Sequence, residues 1–118
     1  MKVLIIDDSA VMRNMIKRAL QAGGIEAEVV EAKDGADGLA KTVENPDIIL
    51  CDWNMPNMTG PELLAAMKDE GYNNKFGFVT TEATPKMRET AEELGARFLI
   101  AKPFTAASFA NTLAPFLG

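Results

Sequence analysis

Five short apolar runs punctuate the chain, and after each one apolar positions recur at helical spacing. The first run is Val3-Leu4-Ile5-Ile6. Aliphatic, β-branched and bounded by polar residues, it predicts a strand buried on both faces. It ends on Asp7 and Asp8, and Ser9 is placed to cap a helix. That helix carries Val11, Met12, Met15, Ile16, Ala19 and Leu20 toward a core, with Arg13, Asn14, Lys17, Arg18 and Gln21 between them. Its methionines are expected to be core filler, and Gly23-Gly24 ends it. Ala27–Ala32 alternates weakly and predicts a second strand, with a turn at Asp34-Gly35. A short helix over Ala36–Glu44 is expected to turn Leu39, Ala40 and Val43 inward, and Asn45-Pro46-Asp47 breaks it.

The third run, Ile48-Ile49-Leu50-Cys51, delivers Asp52 at its end and passes into the turn formers Asn54, Pro56, Asn57 and Gly60. A third helix over Pro61–Glu70 opens on proline and faces Leu63, Leu64 and Met67 inward. Phe76–Thr81 is the fourth strand and ends in two hydroxyls. Thr84 caps a fourth helix running to about Leu94, with Met87, Ala91 and Leu94 inward, and Gly95 stops it. Phe98–Ala101 is the fifth strand and meets Lys102-Pro103-Phe104. Thr105 caps the last helix, which presents Phe109, Leu113 and Phe116 and ends near Ala114 because Pro115 cannot continue it.

Strands alternating with helices predict an α/β fold: a five-stranded parallel sheet, doubly wound, with helices on both faces. Right-handed crossovers then bring every strand's carboxyl end to one edge. The expected organisation is one domain over residues 1–118, with no linker or output domain.

Composition narrows the chemistry. The net charge is −5, from twelve Lys and Arg against seventeen Asp and Glu, which argues against a nucleic-acid or anionic-membrane binder. There is no histidine, so histidine bases, Ser-His-Asp triads and His-ligated zinc are excluded. The single cysteine, Cys51, cannot form an internal disulfide and is expected to be a small apolar strand residue. No run approaches about 18 apolar residues and no signal peptide is visible, which predicts a soluble, cytoplasmic protein without membrane insertion.

At the carboxyl edge of such a sheet the strand ends gather Asp7, Asp8, Asp52, Thr80 and Lys102. Taken singly, each has an ordinary reading: a solvated loop acid, a helix cap, a surface lysine, a strand threonine. Five polar groups at corresponding strand ends, each straight after an apolar run, point instead to a site. Three neighbouring carboxylates repel unless a cation joins them. With oxygen donors alone, that cation is a hard one such as Mg²⁺. An aspartate beside a divalent ion and a lysine can attack phosphorus and become an aspartyl phosphate, with the cations sharing the developing charge and Thr80 donating its hydroxyl.

Asp7-Asp8, Asp52 with Met55-Pro56 and Gly60, Val79-Thr80 and Lys102-Pro103-Phe104 together resemble a response-regulator receiver domain over the whole chain. The segments Asp52–Met58 and Lys102–Ala107 are most similar to stand-alone chemotaxis regulators of the CheY type. The resemblance implies a flavodoxin-like, CheY-like fold and a two-component phosphorelay protein. It would be a switch rather than an enzyme, with intrinsic self-phosphorylation and self-dephosphorylation. Asp52 would accept a phosphoryl group from a histidine kinase. Asp8 and Asp52 would bind Mg²⁺ directly with the Asn54 carbonyl, and Asp7 through water. Lys102 would pair with the phosphoryl group and Thr80 would sense it. Asn54 and Glu82 match positions that tune phosphoryl lifetime. The implied output face, for a flagellar motor or relay protein, is the fourth helix, fifth strand and fifth helix, and a phosphatase is a further implied partner. The chain departs from the pattern at Leu99, where the family often has an aromatic switch residue, and at Thr81, where it usually has a small one. Phe98 is a poor substitute for that aromatic, since alternation points it to the opposite face.

Other classes fit less well. A hydrolase of the haloacid-dehalogenase type would want its two first-strand aspartates two residues apart, whereas Asp7 and Asp8 are adjacent. A flavin carrier would need a phosphate loop where these acids would repel the cofactor. The alternatives to a motility regulator are that hydrolase or a phosphorelay intermediate, and an unphosphorylated interaction module would not need the intact acid set.

Overall fold

A computed structural model describes residues 1–117; Gly118, the last residue of the expected domain, lies outside them. Five parallel strands form one sheet: β1 (Lys2–Ile6), β2 (Glu28–Ala32), β3 (Ile48–Cys51), β4 (Lys75–Thr80) and β5 (Phe98–Ala101). Their spatial order is β2-β1-β3-β4-β5. The connecting helices are α1 (Ala10–Ala22), α2 (Gly35–Lys41), α3 (Gly60–Asp69), α4 (Pro85–Glu93) and α5 (Ala106–Leu113). Each helix follows its strand, so the expected doubly wound parallel architecture is the one observed.

Strand alternation divides the core in two. Leu4, Ile6, Ile49, Cys51, Phe76, Phe78 and Leu99 face one way and pack with Leu63, Leu64 and Met67 of α3 and Ala91 of α4. Val3, Ile5, Ile48, Leu50, Val79 and Ile100 face the other way, against Ile16, Ala19 and Leu20 of α1 and Phe109 and Leu113 of α5. Leu99 and Phe98 thus lie on opposite faces, as alternation requires. Every β3 residue is buried, which explains the unbroken apolar run before Asp52.

Side-chain caps start every α-helix. Ser9, Asp34, Thr59, Thr84 and Thr105 each accept a backbone amide of the first turn. Asp34 therefore begins α2 rather than turning away from it, and Gly35 is helical.

Two helix faces differ from expectation. On α2 the buried positions are Gly35 and Gly38, while Ala40 is exposed and Val43, in the following 3₁₀ turn, is 72% exposed. The cause is proximity: a Cβ on Gly38 would lie 2.7 Å from Ile6 Cδ1, so glycines let α2 sit directly on β1. On α1, Val11 is 70% and Met15 41% exposed. The buried stripe runs through Met12, Ile16, Ala19 and Leu20, and Val11 and Met15 stand one residue, about 100°, off it. At the carboxyl end α5 stops at Leu113, and Pro115 sits in a 3₁₀ turn, Ala114–Phe116.

Candidate functional site

The carboxyl ends of β1, β3 and β5 converge on a pocket of three acids and one lysine. Asp7 prolongs the β1 ladder by one residue, its amide donating to the Ala32 carbonyl at 3.1 Å. Its side chain is consequently buried, at 1% residue exposure. Asp7 Oδ1 accepts the Ser9 amide at 2.9 Å and Oδ2 accepts Lys102 Nζ at 3.1 Å. Asp52 follows β3, its amide donating to the Ile6 carbonyl at 2.9 Å. Asp52 Oδ1 accepts the Trp53 amide at 2.8 Å and lies 3.5 Å from Lys102 Nζ. Lys102 therefore bridges two carboxylates from a side chain only 8% exposed. Its own amide donates to the Thr80 carbonyl at 2.7 Å, which ties β5's end to β4's.

Asp8 completes the acid group. One ligand oxygen from each of Asp7, Asp8 and Asp52 lies within 4.8 Å of the other two. Asp8 is exposed, and among the described residues no lysine or arginine pairs with it. Three carboxylates thus meet one ammonium, and a divalent cation would balance the remaining two charges. The donors are all oxygens on short aspartates beside open solvent, the set that suits Mg²⁺ with retained waters. The residues present therefore fit such an ion.

Electrostatics in the bare pocket follow. Burial raises Asp52's pKa above the ordinary carboxylate value; Asp7's charge adds to this, and Lys102 and the Trp53 amide oppose it. Cys51 lies one residue away and is fully buried. Burial, and then the two acids, push its thiol well up, which leaves it unreactive. Its Sγ donates to the Asp52 carbonyl at 3.1 Å.

The remaining expected residues spread outward from this centre. Thr80 is fully buried at the end of β4, and its hydroxyl accepts the Glu82 amide at 3.3 Å. Thr81, Glu82 and Asn54 are exposed on the loops around the pocket. Leu99 is buried on β5 as the cross-strand neighbour of Phe78, and it lines a groove of about 380 Å³ with Arg88, Ala91, Glu92, Arg97 and Phe98.

Phe78 and Arg13 escaped the motif reading, and Trp53 and Gly60 stood in it without a stated role. Trp53 and Phe78 pack with ring centroids 4.7 Å apart and planes tilted by 49°, beside Asp52. Gly60 is demanded by that packing, because a Cβ there would lie 2.8 Å from the Phe78 ring and closer still to the Asp52 carbonyl. Arg13 reaches back from α1 to the Asp7 carbonyl at 2.6 Å. The one signal for Arg13 was its place one helical turn after the acids, where it passed for a solvated charge.

Comparison with known proteins agrees with this geometry. The family model described as "response regulator receiver domain" matches residues 3–114. The chain is 34% identical to chemotaxis protein CheY1 of Helicobacter pylori, across 100% of this chain and 98% of that protein. Among solved structures, chemotaxis protein CheY4 of Vibrio cholerae superposes with a TM-score of 0.85 at 36% identity, covering 98% of both chains. The signal receiver domain of the putative response regulator NarL of Mycobacterium tuberculosis does so at 0.85 and 28%, covering 97% of this chain and 93% of that one.

Proposed function

We propose a function from one premise: the chain belongs to the response regulator receiver family and is a CheY-like receiver domain of a two-component response regulator. In this reading Asp52 is the phosphoacceptor. Both of its recorded donors sit on Oδ1, which leaves Oδ2 to attack phosphorus. A new O–P bond forms as the P–N bond to a kinase phosphohistidine breaks, and the imidazole leaves with the electron pair. Asp7, Asp8, Asp52 and the Asn54 carbonyl would hold Mg²⁺, which supplies charge neutralisation at the phosphoryl oxygens when bound. Lys102 is drawn from Asp7 and Asp52 toward the phosphoryl group, since that group adds about −1.5 to −2 charge. Thr80 turns its hydroxyl from the Glu82 amide toward a phosphoryl oxygen, and Glu82, Thr81 and Asn54 govern access at the mouth.

The single observation that carries this reading is the buried Lys102 ammonium held between Asp7 and Asp52, with Asp8 left unpaired beside them. Similarity to chemotaxis proteins supports a role in chemotaxis, in the cytoplasm, with a histidine kinase upstream. It also supports an output partner on the α4–β5–α5 face and a phosphatase that resets the switch. No helix among the described residues is long and apolar enough to cross a membrane.

The test is incubation with Mg²⁺ and a small-molecule phosphodonor, read by intact mass. One acid-stable, base-labile phosphoryl adduct is expected, absent from Asp52→Asn and from samples with chelator. Steady phosphate release from many esters without an adduct would favour a hydrolase and sink the proposal.

A further inference from the structure

Asp7 has two jobs at the end of β1. Its carboxylate faces the pocket, while its carbonyl lies one residue beyond the last paired residue of the strand, Ile6. That carbonyl belongs to the peptide unit leading into Asp8. Its orientation therefore sets the direction in which the Asp8 side chain leaves the loop.

Arg13 Nη1 donates to the Asp7 carbonyl at 2.6 Å. Its Nε donates to Glu31 Oε1 at 3.0 Å. Glu31 lies on β2, paired across the sheet with Ile5, and its Oε2 accepts Lys17 Nζ at 3.1 Å. Lys41 of α2 donates to the Glu31 carbonyl. Arg13 is 17% exposed, a low figure for a helix-surface arginine. It spans the Asp7 carbonyl and the Glu31 carboxylate from two nitrogens, Nη1 and Nε, held at a fixed spacing in one plane, whereas a lysine would have to reach both acceptors from a single nitrogen.

We propose that Arg13 is a positioning residue for the divalent cation: anchored on Glu31, it fixes the Asp7–Asp8 peptide so that Asp8 presents its carboxylate to the ion. This rests on the proposed Mg²⁺ site and extends it to residues outside the acid pocket. Groups that hold a metal's ligands in place are worth roughly 10–100-fold in metal affinity. A guanidinium has a second, opposite effect on a cation site through charge repulsion. The sign of the change on removing Arg13 therefore separates positioning from electrostatics.

The experiment is titration of the metal-free protein with Mg²⁺ by calorimetry, alongside the fluorescence of Trp53, the only tryptophan. Thermal stability is measured separately. Arg13→Met is expected to weaken Mg²⁺ binding about 10-fold. Arg13→Lys is expected to weaken it nearly as much, since it keeps the charge and loses the fork. Glu31→Gln, which still accepts a hydrogen bond, is expected to weaken it by less than the roughly 10-fold of the Arg13 variants. Unchanged or tighter binding in Arg13→Met, with only a lower melting temperature, would overturn the inference and leave Arg13 as a clasp between α1 and β2. Should Arg13→Met fail to fold, Arg13→Lys decides in the same way. Wild type and Asp8→Asn separate the two levels: a wild type that takes up no Mg²⁺ overturns the site itself. Binding that Asp8→Asn abolishes, but that the Arg13 variants leave unchanged, overturns only the positioning role.

Discussion

With its side chain 13% exposed and facing Asp7, Asp52 is harder to ionise in the folded chain than in the unfolded one. The linkage sign follows. Between the ordinary carboxylate pKa and the raised folded value, the folded state binds more protons, so stability falls as pH rises through that window. Above it the penalty is constant. Asp52→Asn removes it, and the metal-free variant is expected to exceed wild type by about 1 kcal/mol at pH 7. The gain should be lost below the ordinary carboxylate range. Urea melts of both proteins at pH 3 and pH 7 check this, and a wild type more stable than the variant at pH 7 would contradict it. Saturating Mg²⁺ should erase the advantage, because the ion neutralises the repulsion in wild type only.

Among the elements, β4 and β5 exchange volume across the sheet. Gly77 pairs with Phe98, and a Cβ on Gly77 would lie 2.0 Å from the Phe98 ring. The ring occupies the place of a β4 side chain and continues onto Phe116 at 5.1 Å. Gly77→Ala is expected to cost about 1–3 kcal/mol by overpacking. Phe98→Leu in the same molecule should recover part of that loss, which a double-mutant cycle in denaturant would show as a favourable coupling. Strictly additive losses would mean that the ring moves aside freely. This pairing shows why some of the fold was legible in the sequence and some was not. Strands such as Ile48–Cys51 carry their burial in composition alone, and caps such as Ser9 and Thr84 carry theirs in residue type. Contact faces built on glycine carry no apolar signal. Gly38 against Ile6 therefore shifted the buried face of α2, keeping Leu39 against the core but leaving Ala40 and Val43 outside, and Gly77 hid the seat of Phe98. On α1 the apolar residues outnumber the buried positions, so pattern alone could not tell that Val11 and Met15 face out.

At the scale of the molecule, topology makes the site. Asp7, Asp52 and Lys102 are distant in sequence, and a parallel sheet returns each strand's end to one edge, so strand-end acids were a sufficient signal for the acid–lysine pocket. Arg13 lay beyond that signal because its role depends on a carbonyl, which has no sequence identity. The same topology links the pocket to the groove at Leu99. Lys102's amide holds the Thr80 carbonyl, Thr80's hydroxyl holds the Glu82 amide, and α4 starts two residues later at its Thr84 cap. Leu99 offers no ring whose rotation could report events at Asp52, so the β4–α4 loop is the remaining covalent route to α4. Two outcomes follow. Mg²⁺ at ten times its dissociation constant should stabilise wild type by about 1.4 kcal/mol and Asp8→Asn hardly at all, read from thermal melts. Thr80→Ala should still take up a phosphoryl group at Asp52. It should lose most of the phosphorylation-dependent change in amide hydrogen exchange over residues 81–91, because the hydroxyl that would leave the Glu82 amide is gone. If the variant showed the full exchange response, the signal would have to reach α4 through Lys102 and β5, and the threonine would be only a buried strand residue.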